Sequence, residues 1–515
     1  MTVKYNFVTA DTPSPVPSVE ERPLSQYTLE DIPALLAVID DLKRIIAEQQ
    51  RLITELRDEN AHLKARIAEL EAQVNQNSRN SSRPPSMDGF QRPQTPRKKG
   101  ERSPGGQKGH KGHTLQPVSN PDEIIVHTVS TCSQCGASLE NVEPSAMDYR
   151  QVFDLPTLRF SVTEHRVESK WCPHCNSFHR AEFPSEVAQL VQYGTNLKTL
   201  LVYFCVYQLL PYERASEMVF DLFGHSLSPA TVVAAVEECS QNLTGVEEHI
   251  QNLLQEAQVL HVDETGMKVC GTRRWLHVAC TDLLTCYGYH RKRGAQATND
   301  MRILPAFRGT MIHDFWATYF KYSSSHAICN AHLMRELQGI SENYKHRWSE
   351  ALRHLLIEIK RAVDAAKQED KDGLMPERLA AFEERYRTIL DEGEEETTTS
   401  GVPEKQGTRG RKKQSRAKNL LDRCRTYQQD ILRFMKDFTI PFTNNQAERD
   451  LRMMKVKQKI SGTFRSEEGA MNFCRVRGFI STVRKHGRPA LPDLRGVVNG
   501  GVKFPTFGGI KFPTR

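Results

Sequence analysis

Three carboxylates, far apart along the chain, are the residues whose type and setting best fit chemistry. Asp263 follows the apolar run Val259-Leu260-His261-Val262, and Asp314 follows Thr310-Met311-Ile312-His313. Glu448 lies just inside a segment opened by Asn444-Asn445. Hard oxygen ligands of this kind suit Mg²⁺, which binds through a few carboxylates, substrate phosphate and water. Three of them meeting at the edge of a mixed sheet can hold two Mg²⁺ about 3.5–4 Å apart, the arrangement for in-line displacement at phosphorus. Each acid alone has an ordinary reading: an Asp after an apolar run is a turn former, and Glu448 with Arg452 is a routine helix pair. Arg449, Arg452, Lys455, Lys457 and Lys459 follow Glu448. Arg452 and Lys455 share the Glu448 face of a helix, where they would grip a strand backbone together with Arg449.

Four thiols form a second constellation. Cys132-x2-Cys135 and Cys172-x2-Cys175 are chelating knuckles whose spacing suits one tetrahedral Zn²⁺. Strand-like runs over 150–155 and 158–167 predict a small ribbon with a knuckle at each end, and His174 and His179 are close enough in sequence to substitute as ligands. A closed four-ligand site stabilises a fold and presents a surface rather than reacting. A redox pair of thiols or an inert cluster is the competing reading. Eight further cysteines lie among apolar neighbours as ordinary buried thiols.

These groups need elements to position them. Alternation puts Val259, His261 and Asp263 on one strand face. Runs over 275–281 and 284–290 extend this to a three-strand meander. Thr310–His313 makes a fourth strand, and 327–329 a fifth that leads into a helix carrying His332, Arg335 and Glu336. Asp314 and Glu448 are 134 positions apart, far more than one crossover needs. Residues 339–439 are mostly helix-prone, so a helical insertion is expected, with a mobile loop over 391–418 carrying the basic cluster 409–413. Upstream, Leu209-Leu210-Pro211 precedes a helix, Gly224 ends it, and Ser228-Pro229 starts the next. This outline is that of a helix-turn-helix, yet Asp221 to Leu260 contains no Lys or Arg, so a helical support element is expected instead.

The N-terminal third has no such chemistry. Residues 1–32 are Pro-, Ser- and Glu-rich and are expected to be disordered. A heptad series follows, with Ile39, Ile46, Ile53, Asn60, Ile67 and Val74 at a and Leu35, Leu42, Gln49, Leu56, Leu63 and Leu70 at d. Ile at a with Leu at d favours a parallel two-stranded coiled coil. An amphipathic helix packed on its own domain is the alternative. Between Arg83 and Lys111 eight cations, among them Arg97, Lys98, Lys99, Lys108 and Lys111, face only Asp88 and Glu101. Such a run either neutralises DNA phosphates through counterion release or serves as a soluble linker. Its Gly-rich piece lacks the Gly-Lys-Ser/Thr ending of a P-loop.

Composition sets the class. The chain has 515 residues and net charge +7, with 38% apolar and 26% charged residues, and a mean hydropathy of −0.55. Its longest apolar stretch, 199–210, is far short of the ~20 residues that span a bilayer. Residues 1–12 show no secretory pattern, and twelve cysteines without one argue against a disulfide scaffold. A membrane partner is therefore not expected.

His261-Val262-Asp263-Glu264-Thr265, His313-Asp314-Phe315-Trp316-Ala317 and Asn444-Asn445-Gln446-Ala447-Glu448-Arg449 closely resemble the three acidic motifs of bacterial insertion-sequence transposases of the sixty-six family. So do Asn80-Ser81-Ser82-Arg83-Pro84-Pro85-Ser86, Gly105-Gly106-Gln107-Lys108-Gly109-His110, both knuckles, and Cys329-Asn330-Ala331-His332. The resemblance runs over roughly residues 35–490, with the motifs in the family's order. It implies a multidomain α+β protein: an RNase H-like mixed α/β catalytic core with a helical insertion, preceded by a coiled coil and a zinc ribbon. The implied triad is Asp263, Asp314 and Glu448 with two Mg²⁺. Cys329 and His332 look like a Cys-x2-His element beside the active site, or are core residues at a strand end.

The expected layout is a disordered 1–32, coiled coil 33–76, basic linker 77–126, zinc domain 127–182 and helical domain 183–256. The core follows in two parts, 257–338 and 440–490, around the insertion 339–439, and a tail with a repeated Lys-Phe-Pro-Thr occupies 491–515. The implied activity is DNA transposition in the bacterial cytoplasm, at the nucleoid. A dimer or larger assembly binds element ends, cuts with Mg²⁺, and joins the 3′-hydroxyl to target DNA, with element-encoded helpers as further partners. Two rivals are a structure-selective nuclease on the same fold and a non-catalytic zinc-containing DNA-binding protein.

Overall fold

The computed structural model describes residues 28–81, 115–399 and 414–500. Arg97, Lys98, Lys99, Lys108, Lys111, the 409–413 cluster and the repeat of the tail lie outside these described residues. In chain order the helices and strands are α1 (Ile32–Val74), β1 (Ser169–Cys172), β2 (Ser177–Arg180), α2 (Thr195–Val202), α3 (Tyr212–Phe223), α4 (Pro229–Asn242), α5 (Thr244–Gln255), β3 (Val259–Val269), β4 (Thr272–Cys280), β5 (Thr285–His290), α6 (Ala295–Asp300), β6 (Thr310–His313) and β7 (Ser325–Ile328). Then come α7 (Asn330–Tyr344), α8 (Arg347–Gln368), α9 (Pro376–Thr399), α10 (Arg416–Thr426), the single turns α11 (Gln428–Ile431) and α12 (Arg433–Lys436), α13 (Asn445–Ile460), α14 (Glu467–Lys485) and α15 (Ala490–Val498). They group into two compact units, Met1–Asp88 with Asn330–Phe442, and Gly89–Cys329 with Thr443–Arg515.

In the helical unit, α1 is one helix of 43 residues. Its heptad residues Ile39, Leu42, Ile46, Ile53, Leu56, Leu63, Ile67 and Leu70 are exposed. Near its end it packs, with Ala72 buried. The turn that follows rests on α7: Asn80 Nδ2 donates to Asn75 O and to Glu342 Oε2, both within 3.1 Å, and Asn80 Oδ1 accepts from Asn77 N at 2.9 Å. Gly339 makes room for this, since a Cβ there would stand 2.1 Å from Asn80 O. The interior is built from Trp348, Leu352, Leu355, Leu356, Ile359 and Val363 along α8, against Phe382, Tyr386 and Leu390 of α9. Two expectations change here. The unit begins at Asn330 rather than 339, because α7 starts directly after β7. The loop expected over 391–418 is helical on both flanks, where acids on α9 meet cations on α10: Asp391 with Arg425 at 2.8 Å, and Glu394 Oε2 with Lys418 at 2.6 Å.

In the sheet unit, five strands run in the order β5-β4-β3-β6-β7. The meander β3-β4-β5 is antiparallel, and β6 and β7 lie parallel to β3, on the segments anticipated from the sequence. The helix signals also hold: Gly224 ends α3 with φ 66°, and Ser228 Oγ accepts from Thr231 N at 3.3 Å to start α4. However, α2–α5 do not form a separate domain. Their apolar stripes, such as Val232, Val236 and Cys239 or Val246, Ile250 and Leu254, enter one continuous core with the sheet and with α13–α15. The chain stays ordered past 490 for the same reason, since α15 buries Leu494, Val497 and Val498 there. The ribbon strands also differ from expectation: the hairpin is β1-β2, while 150–155 and 158–167 are extended without a ladder. Val152, Leu155 and Val162 of those runs are 80–90% exposed, and although Phe160 packs against the core, most of each run lacks the cover that a half-buried strand requires. No helix among the described residues is long and apolar enough to cross a membrane.

Gly339→Ala is expected to force the Asn75–Ser81 turn off α7 at an overpacking cost of about 1–3 kcal/mol. Hydrogen exchange should then speed up at residues 75–81 while α9 and α10 keep their protection; unchanged exchange at 75–81 contradicts the contact.

Candidate active site

The register of β3 against β6 aligns the two aspartates. Val259 pairs with Thr310, Leu260 with Met311 and His261 with Ile312. Continued by two residues, the same offset sets Asp263 level with Asp314. The β3–β6 ladder stops at Ile312 and β6 itself at His313, while β3 runs on to Val269, so both acids stand where the edge of β3 opens. Asp314 Oδ1 accepts from Trp316 N at 3.0 Å, and Asp263 Oδ1 from Glu264 N at 2.8 Å.

Helix α13 carries the third acid and is fastened to β3 at two points. Asn444 precedes the helix but spends no side-chain bond on capping it. Its Oδ1 accepts from His261 Nδ1 at 2.8 Å, and its Nδ2 donates to Val262 O at 2.8 Å. Cys329 Sγ, at the end of β7, accepts from Asn444 N at 3.1 Å. The second fastening is Lys455 Nζ to Gly266 O at 3.2 Å. Five residues of strand and eleven of helix each cover about 16 Å. The helix therefore runs alongside the strand in the same direction, and Glu448, about 6 Å into it, comes level with Asp263. Alternation gives His261 and Asp263 the same strand face, the one that meets Asn444.

Crowding of carboxylates dominates the electrostatics. Burial first, then the charges of Glu264 and Asp314, push Asp263 well above the usual carboxylate range, and Glu448 adds to this. Glu264 is also raised, by burial and then by Asp314. It points to the other face of β3 and has both oxygens engaged: Oε2 accepts from Tyr319 OH at 2.6 Å, and Oε1 from Arg293 Nε at 2.9 Å. Sequence reasoning passed over Glu264, Tyr319, Arg293 and Trp316. Strand alternation beside Asp263 was the available signal for Glu264, and the position of Trp316 two residues after Asp314 was the signal for the aromatic wall. A crowded set of hard oxygens whose mutual repulsion a divalent cation would relieve fits Mg²⁺.

Other predicted residues fall out differently. Arg449 and Arg452 are exposed on α13. Lys455 is not free for a DNA strand here, because the Gly266 carbonyl takes its ammonium and burial lowers its pKa. Lys457 lies buried over the rings of Phe464 and Phe473 and is lowered to about 8 by burial. Cys329 ends β7 in the sheet unit, whereas His332 lies in the first turn of α7 in the helical unit. Each cysteine knuckle closes on itself. Backbone N–H groups of Cys135 and Gln134 hold the Cys132 thiol below its usual pKa, and the backbone N–H of Cys175, with its thiol, does so for Cys172. Thiols kept easy to ionise suit zinc, which binds thiolate. His179 reaches the second knuckle, with Ser177 Oγ 2.8 Å from both its Nε2 and Cys175 Sγ.

Asn444→Ala removes both bonds to β3 and leaves Val262 O and His261 Nδ1 unpaired in the interior. A loss of about 2 kcal/mol in unfolding free energy is expected, measured by denaturant titration. A loss below a few tenths of that contradicts the fastening.

Comparison with known proteins gives the family. The profile of the transposase IS66 family matches residues 191–472, more than half of the chain, from the helices before β3 to α14. The zinc-finger binding domain of transposase IS66 matches residues 130–176, which hold all four knuckle cysteines. A family of unknown function matches 39–116. The chain is 23% identical over 416 residues to the uncharacterized protein y4hP of Sinorhizobium fredii, covering 72% of this chain and 71% of that protein. With its acids level at one sheet edge and the matching profile spanning all three, the chain belongs to the IS66 transposase family and carries that family's zinc-finger domain.

Proposed function

We propose that this protein is a DNA transposase that binds insertion-element ends and carries out Mg²⁺-dependent cleavage and strand transfer through Asp263, Asp314 and Glu448. The observation that carries the reading is the alignment of these acids by two independent devices, the β3–β6 register and the paired fastenings of α13. The strand order, an antiparallel meander continued by two parallel strands, supports an RNase H-like core. Bound Mg²⁺ would neutralise charge at the reacting phosphate and acidify the attacking water or 3′-hydroxyl. The chain's own part is to keep three carboxylates fixed at an open edge before DNA arrives. Asn444 and Lys455 set the height of Glu448, and Tyr319 and Arg293 occupy Glu264 so that it stays out of the ligand set. Exposed Arg449 and Arg452 extend from Glu448 along the path of a DNA backbone. The zinc module and the cations Arg97, Lys98, Lys99, Lys108 and Lys111 would supply contacts to the element ends. The exposed Ile/Leu seam of α1 supports pairing of two protomers, one per end.

The direct test is Mg²⁺-dependent nicking and joining of labelled element-end DNA. Glu448→Gln should bind ends as the parent does and give neither nicked nor joined product; equal product from both proteins removes Glu448 from the mechanism. Nicking without joining in the parent would favour a nuclease. A second expectation comes from the crowded charges. Asp263→Asn should raise the Tm of metal-free protein by a few degrees, because one buried like charge is gone. It should also lose the upward Tm shift that Mg²⁺ gives the parent. A lower metal-free Tm, or a retained Mg²⁺ shift, contradicts the proposed ligand set.

A further inference from the structure

A ladder of alternating guanidinium and indole groups begins beside the carboxylates. Strand register pairs Gly266 with Trp275 and Lys268 with Arg273 on the Glu264 face of the β3-β4 hairpin. The Arg273 guanidinium carbon stands 4.7 Å from the centre of the Trp275 ring. That of Arg293 stands 5.1 Å from Trp275 and 4.5 Å from Trp316. Arg273 reaches its ring by crossing Gly266, where a Cβ would lie 3.2 Å from its Nε. Arg293 is fixed a second time by Glu264. Arg273 is exposed, and 39% of the Arg293 side chain is open to solvent.

Stacking on an indole occupies the face of a guanidinium and leaves its in-plane N–H donors to other partners; Arg293 gives its Nε and Nη2 to Glu264 and keeps its Nη1 donors. Those donors match phosphate oxygens in pairs, and a cation already immobilised loses little entropy when it binds. A cluster of acids repels a DNA backbone, so a strand that comes to it needs fixed positive charge close by. Trp316, the last rung, is two residues from Asp314, which sets the ladder next to the carboxylates. The open edge of β3 joins the two faces, the acids Asp263 and Asp314 on one side and the ladder on the other.

We propose that Arg273, stacked on Trp275, and the Nη1 donors that Arg293 keeps beside its Glu264 pair, stacked on Trp275 and Trp316, form a clamp for the backbone phosphates of the DNA strand that enters the carboxylate cluster. This rests on the transposase reading for its substrate and assigns the hairpin a role as a DNA-gripping arm. The clamp reads phosphates and not bases, so it acts on any sequence.

The test uses zinc-loaded full-length protein and a labelled duplex of about 40 base pairs with arbitrary sequence, titrated over a range of salt. Arg273→Ala should flatten the slope of log affinity against log salt by about 1, the loss of one phosphate contact. Trp275→Leu keeps every charge but frees the Arg273 guanidinium, so affinity should fall about two- to fivefold with the slope unchanged. Trp275→Phe, which restores an aromatic face at similar bulk, should bind like the parent. An unaltered slope in Arg273→Ala overturns the clamp, as does Trp275→Leu binding as tightly as Trp275→Phe. Because this readout needs no cleavage, a failed Glu448→Gln comparison would leave it standing, and the two proposals fail separately.

Discussion

Everything at the acidic site depends on where α13 lies along β3. A helix packed on a strand by apolar contacts alone is free to slide by a fraction of a turn, because the hydrophobic effect has no direction. Asn444 and Lys455 remove that freedom by bonding polar groups of the strand at two points about 16 Å apart. The first is buried, where an unmade hydrogen bond is costly, so it fixes position more strongly than its modest net energy suggests. The Cys329 thiol adds a third tie, from the end of β7 to the backbone just before the helix. Three strands and a helix are thus locked at the level where the acids stand.

The same place is a local liability. Burial and the charge of Asp314, just past β6, raise the pKa of both adjacent carboxylates on β3, which is work done against folding in the absence of a cation. The protein divides this load. Glu264 is turned to the other face, ion-paired with Arg293 and hydrogen-bonded by Tyr319, whereas Asp263 is left beside Asp314 and Glu448. Adjacent residues in one strand hold opposite fates because their side chains point to opposite faces. Strain of this kind, kept at one site and offset elsewhere, is typical of functional residues.

Much of this was legible in the sequence. The five strands carry strong local signals: apolar runs, alternation and turn residues. The Gly224 and Ser228 helix boundaries were equally plain, and Asp263 and Asp314 stood out by following apolar runs, Glu448 by following the Asn444-Asn445 helix start. What the residues did not disclose was long-range pairing. Asn444 has the composition of a helix cap, and only the buried imidazole of His261 opposite it explains why it braces a strand instead. Lys455 has the spacing of a DNA contact, but the bare backbone at Gly266 draws it inward. The ribbon strands were misread because β-branched and aromatic residues over 150–167 signal strand only where a covering surface exists. The merging of α2–α5 with the sheet needed knowledge of which apolar stripes meet, and no local pattern encodes that.

The length of chain between Asp314 and Glu448 also finds a physical account. An insertion is tolerated when its two ends lie together, because the host then loses little by having its chain leave and return. In the helical unit Asn330 N donates to Phe442 O at 3.1 Å, so the first residue and the last are hydrogen-bonded neighbours. In the sheet unit Cys329 Sγ meets Asn444 N across the same gap in the sequence. The sheet unit can thus hold its third acid in register with the first two, whatever the length of the helical unit, because the junction itself is closed by one bond on each side. That separates the accuracy of the acidic site from the size of the domain inserted into it.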